Sequence, residues 1–145
     1  MVWRATASML VLACSSCSVH PTSQEKALVT DVERRVKLPK GAGSLKCYER
    51  HYTLLQGPEL DEYMGVPLEG LRGRAVLVGL YRLGKQPGTH WAQNAQMLPE
   101  KIPDGGCSNI NVFHVVGERE KRLDAYCSET IAGVPEEQVS PPVSC

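Results

Sequence analysis

The sequence is poor in aromatic residues, with one phenylalanine, two tryptophans and five tyrosines among 145 residues. It has no excess of charge of either sign, because sixteen Lys and Arg side chains balance sixteen Asp and Glu. A protein that draws its affinity from DNA or RNA phosphates needs a basic surplus, so no nucleic-acid partner is expected. No apolar run approaches the roughly 20 residues that a helix needs to cross a bilayer core. The patterns Gly-x-Ser-x-Gly, His-Glu-x-x-His and Gly-x-Gly-x-x-Gly are missing, as is a phosphate loop, which removes the common local signatures of hydrolases, zinc peptidases and nucleotide binders. Six cysteines are too dilute for a miniprotein held by disulfides alone. What is present is the length of one domain and an ordinary globular composition, 42% apolar and 22% charged. No cofactor is expected from it.

The N-terminus carries the most specific signal. Arg4 is the only charged side chain before Glu25, and the apolar stretch Ala5–Ala13 follows it. A basic start, a short apolar core and a small residue at its end together read as a secretory signal. The segment then runs Val11-Leu12-Ala13-Cys14, which resembles the lipobox of bacterial lipoproteins. The resemblance implies that Cys14 is lipidated and becomes the new N-terminus. Ser15 stands where an aspartate favours inner-membrane retention, so the same resemblance implies an outer-membrane protein facing the periplasm. The lipid would anchor the chain to the membrane. Residues 1–13 are then the signal peptide and 14–23 a small, polar tether. Residues 24–133 form a single domain, and the proline-rich 134–145 form a tail.

Within the domain, Leu28, Val32 and Val36 recur at helical spacing, with Ser23 as cap and Pro39 as stop, predicting a helix over 24–38. Cys47–Leu55 alternates as a half-buried strand. Pro58–Met64 suits a short helical turn. Ala75–Leu83 is almost continuously apolar and reads as a central strand buried on both faces, with Gly79 marking a bulge or a close packing contact. Residues 86–106 read as irregular apart from a helical turn near 94–98. Ile110–Val116 is a second central strand, and Arg122–Ile131 closes a hairpin with it. The expected fold is α+β, an N-terminal helix packed on a curved antiparallel sheet of about four strands.

An exported domain meets an oxidising compartment, so its cysteines should pair. Parity favours Cys17 as the lipid site, whereas the local motif favours Cys14; with Cys14 lipidated, Cys17 stays unpaired in the tether. A two-residue turn at Gly117-Glu118 sets Cys127 opposite Ser108, next to Cys107, and makes Cys107–Cys127 a feasible disulfide. Cys47–Cys145 follows by elimination. The spacings suit no metal site.

Four histidines offer general-base chemistry. His20 lies in the tether, His114 shares a core face with Ile110 and Val112, and His51 reads as a surface residue of its strand. His90 and Trp91 sit together in a loop and are the candidate binding residues. Glu59, Asp61 and Glu62 read as first-turn helix electrostatics, Arg34, Arg35, Lys37 and Lys40 as a solvated basic end. Gly105-Gly106-Cys107 reads as a tight turn or a binding loop. Three functions remain. The leading one is a periplasm-facing module that binds a protein partner, of the inhibitor or immunity type. The others are a small envelope hydrolase using His90 and a structural accessory of envelope assembly. Whether the chain is an enzyme stays open at this stage, leaning against.

Overall fold

The computed structural model describes residues 20–64, 69–100, 106–117, 122–128 and 145. Expectations for the signal segment, Cys14, Cys17, Gly105 and tail residues 134–144 fall outside the described residues. Helix α1 covers Ser23–Arg35 and α2 covers Pro58–Met64. The strands are β1 (Tyr48–Gln56), β2 (Ala75–Leu83), β3 (Gly88–Trp91), β4 (Asn109–Val115) and β5 (Leu123–Cys127). They form one five-stranded sheet in the order β3-β1-β2-β4-β5. The fold is α+β, with α1 on one face of a mixed sheet.

Helix α1 starts one residue earlier than its periodicity implies. Thr22, not Ser23, caps it: Thr22 Oγ1 accepts from Glu25 N, and Glu25 returns the bond to Thr22 N. This reciprocal pair satisfies two donors that a helix start leaves open. Val36 is already extended, so the helix ends before the proline that was its expected stop. Val29 and Val32 carry the apolar stripe into a cluster with Tyr48, Tyr52, Leu77, Tyr81, Ile110 and Val112. On the opposite face Leu60 of α2 joins Leu55, Val76, Val78, Ala92, Leu98 and Val115.

β2 is central, pairing antiparallel with β1 on one side and β4 on the other. That is the position a strand apolar on both faces must take. The register runs unbroken through Gly79, so no bulge exists there. Gly79 is instead a close contact: a Cβ would meet the Tyr52 ring at 3.0 Å and both Tyr81 and Val112 at 3.2 Å.

Two expectations change. The sheet has five strands, not about four, because Gly88–Trp91 forms a strand parallel to β1. Four residues without an apolar run leave little periodicity to read. β1 is buried at Tyr48, Glu49, Tyr52, Thr53 and Leu55 because clusters on both faces of the sheet cover it, while β3 occupies its second edge along Glu49–Tyr52. The hairpin register is the second change. Cys127 sits opposite Ile110, two residues from the expected Ser108. The Cys107–Cys127 disulfide nevertheless forms, with Cα atoms 4.6 Å apart. A single helical turn at Gly106–Ser108 bends the chain back, and Ser128 N donates to both Gly106 O and Asn109 O. The second disulfide joins Cys47, just before β1, to Cys145.

Candidate functional site

The pleat of β1 divides its side chains between two environments. Arg50 and Tyr52 point toward α1. Glu49, His51 and Thr53 point toward the α2 face. Each side builds a polar cluster, and β3 contributes to both.

On the α1 side three donors converge on one carboxylate oxygen. Glu33 Oε1 accepts from Arg50 Nε at 2.7 Å, Thr89 Oγ1 at 2.8 Å and Tyr52 OH at 3.4 Å. The hydroxyls of Tyr52 and Tyr81 are hydrogen-bonded to each other, and burial pushes both phenols far above their usual range. Tyr48 OH donates to Cys107 O and accepts from Gly43 N. The buried aromatics of this face are therefore tyrosines whose hydroxyls all have partners, as burial requires.

On the α2 side Glu49 is 6% exposed. Its Oε1 accepts from Gln86 N at 2.9 Å and its Oε2 from Arg82 Nε at 2.8 Å, with His51 Nε2 at 3.5 Å. The Gln86 amide and then Arg82 hold its carboxyl down at about 2, against the opposing effect of burial. The segment 84–87 has to step across the start of β1 to carry the chain from β2 to β3, and Glu49 anchors it from beneath. Gly84 packs directly against this carboxylate; a Cβ there would fall within 3.0 Å of it, so the carboxylate would have to shift to admit one.

His51 and His90 are register partners on β1 and β3. Their rings stack with centroids 4.7 Å apart and planes 17° from parallel. His90 Nε2 lies 2.9 Å from Gln86 O, so that nitrogen is the donor. Burial lowers the His51 pKa; the bond to Glu49 opposes this, and the neighbouring His90 adds to the lowering. His51 is thus not a surface residue. The reason is β3, which covers the edge that an alternating strand leaves open to view. His114 is buried, as its apolar face implies, with Nδ1 3.0 Å from Arg122 O.

His90 and Trp91 lie on a strand rather than a loop, and being adjacent they project to opposite faces of it. Both still border one groove of about 610 Å³, because β3 is an edge strand. The α1 wall of this groove is Lys26, Val29, Thr30 and Glu33, a single helical stripe; His20 and Pro21 close one end. A second groove of about 550 Å³ lies beside Arg82, Lys85, Ser108 and Asn109.

The carboxylates of Glu33 and Glu49 are held by donors within the fold, while His51 and His90 each engage one ring nitrogen. Among the described residues no histidine nitrogen has a hydroxyl or thiol as hydrogen-bond partner, and no group of three or more His, Cys, Asp or Glu side chains is placed to hold a metal ion. Glu49, Arg82, Glu33 and Arg50 were not singled out from sequence. Glu49 and Arg82 sit at positions whose partners are known only from the strand register. The one local sign was Gly84, directly after an apolar strand. Glu59 is occupied in accepting from Ala95 N, and Arg34 and Arg35 both pair with Asp31. Comparison with family models, curated proteins and solved structures finds no match to this chain.

Proposed function

We propose that this is a small envelope lipoprotein, anchored through a lipid on Cys14, whose domain binds a protein partner on the periplasmic side in the manner of an inhibitor or immunity protein. The observation that carries the binding reading is the groove between α1 and β3. It combines the half-buried Trp91, a mixed wall in which Val29 lies among Lys26, Thr30 and Glu33, and an unpaired sheet edge, features that recur where proteins hold other proteins. Two disulfides brace the platform behind it, and such bonds persist in oxidising compartments. Both Glu49 oxygens are held by donors and its carboxyl sits at about 2, which suits a rigid scaffold better than a general base working near neutral pH.

The test is site-specific photo-crosslinking in the cell envelope. A crosslinker at Thr30, exposed on the groove wall, should trap one discrete adduct. The same group at Arg72, exposed far along the chain between α2 and β2, should not. Equal labelling from both positions, or none from Thr30, refutes the reading.

A further inference from the structure

We propose that the partner enters the groove as an extended, acidic peptide segment that adds a strand to the open edge of β3. The inference rests on the binding reading above and specifies what the groove takes.

The direction of the backbone groups on β3 follows from one hydrogen bond. Ala92 N donates to Tyr52 O at 2.8 Å, so Ala92 faces β1. Backbone groups alternate along a strand, so His90 also faces β1. Thr89 and Trp91 therefore turn their N–H and C=O groups away from the sheet. β3 is the last strand on this side, and no described strand takes up those groups. Natural edges are blunted by lysine, proline, bulges or shortness. β3 reads Gly-Thr-His-Trp and uses only shortness. At about 3.3 Å per residue it matches four or five residues of an incoming strand, which can form bonds to all four outward groups.

The groove then supplies selectivity. An added strand places alternate side chains beneath α1, against Val29 and Trp91. Glu33 at the floor is already neutralised by Arg50, 2.7 Å away. Lys26 on the rim has no ion-pair partner among the described residues, so the uncompensated charge of the groove is positive. An acidic side chain in the incoming strand answers it. Strand addition of this type takes affinity from main-chain bonds and specificity from alternate side chains.

The experiment uses the mature chain with both disulfides intact and a displayed library of linear nine-residue peptides. Selected peptides are synthesised, together with analogues N-methylated at alternate positions. Acidic residues should be enriched over basic ones. Binding should slow amide exchange at Thr89 and Trp91 at least tenfold. Methylation on one parity of peptide positions should weaken binding at least tenfold, and on the other parity leave it nearly unchanged, because only every second amide faces β3. Lys26→Glu should weaken the acidic peptides at least fivefold. Protection that falls on β5 instead, indifference to N-methylation of either parity, or no change on Lys26→Glu overturns the proposal. Because N-methylation alters only the peptide, misfolding of a variant cannot imitate this result. A discrete adduct at Thr30 in cells combined with any of those failures leaves the binding reading standing and removes strand addition alone.

Discussion

Replacing Gly84 with alanine tests whether the buried Glu49 carboxylate truly pins the strap between β2 and β3. Gly84 does not adopt a left-handed φ, so alanine causes no backbone strain of its own. The added methyl instead falls within 3.0 Å of Cδ and both oxygens of Glu49. The carboxylate has to move, giving up the Gln86 N–H and the Arg82 bond. A hydrogen bond to a charged group contributes about 1.5–3 kcal/mol. Arg82 is 43% exposed in its side chain, so solvent screening reduces its share to about 1 kcal/mol at most. Alanine also restricts the unfolded chain, which offsets about 0.5 kcal/mol. The net loss is about 2–3 kcal/mol at neutral pH, read by urea denaturation with the disulfides intact. The pH dependence follows from the lowered Glu49 pKa. A carboxyl held at about 2 in the fold and at 4.5 otherwise contributes stability that is present above pH 4.5 and lost as pH falls toward 2. The gap between wild type and Gly84→Ala should therefore narrow through that window. A variant within about 0.5 kcal/mol of wild type at pH 7, the usual scatter of surface substitutions, or a gap constant with pH, refutes the account.

Other consequences are as direct. Replacing Cys107 and Cys127 with serine opens a loop of sequence separation 20, and the chain-entropy model gives a loss of about 3 kcal/mol; an unchanged melting curve after the substitution would contradict it. Val78→Asp buries a charge in a fully buried position and should cost several kcal/mol; a soluble variant with unaltered thermal stability would remove β2 from the core. His51 should titrate below its usual 6.5 by NMR. Its neutral form is the one the fold favours, so its contribution to stability is complete above pH 6.5 and declines as pH drops through the folded value; a titration at or above 6.5 counts against the half-buried stack with His90. Mass spectrometry of the mature N-terminus should find a lipidated Cys14, and a free amine on any other residue excludes the anchor.

The parts of the fold that could be read from the chain are those whose side chains report burial on both faces. Ala75–Leu83 is apolar without interruption, and only a strand covered on two sides tolerates that in water. It pairs with β4 as its composition requires. β3 left no such trace. Its residues alternate between a polar contact with Glu33, a stack on His51 and a half-buried Trp91, so no period emerges from four positions. Missing β3 also made His51 look solvated on a strand read as half-buried. One unread strand thus misplaced residues on its neighbour, because exposure in a sheet is a property of pairs of strands rather than of single segments.

The polar clusters were hidden for a related reason. Glu49 and Arg82 are separated by 33 residues and meet only because Tyr48 pairs with Leu83 and the register follows. A charged residue in an alternating strand is read by default as facing water. What makes this one different is geometry above the sheet: the strap at 84–87 closes over Glu49, and Gly84 leaves the space that the carboxylate fills. The strap then sets where β3 begins, and β3 sets the groove. An ionised, buried carboxylate is costly unless it is hydrogen-bonded, and its persistence is accounted for by the strand it positions. The order of the β3 edge therefore depends on the bond between Glu49 and Gln86, which ties a property read at pH 3 in a denaturation curve to the amide exchange of that edge. Loosening the strap with Gly84→Ala should speed exchange at His90, whose amide faces β1, while leaving the outward-facing Thr89 and Trp91 amides of the free protein as fast as before. Equal acceleration along β2 would mean that the strap supports the whole sheet, and the local account of the edge would fail.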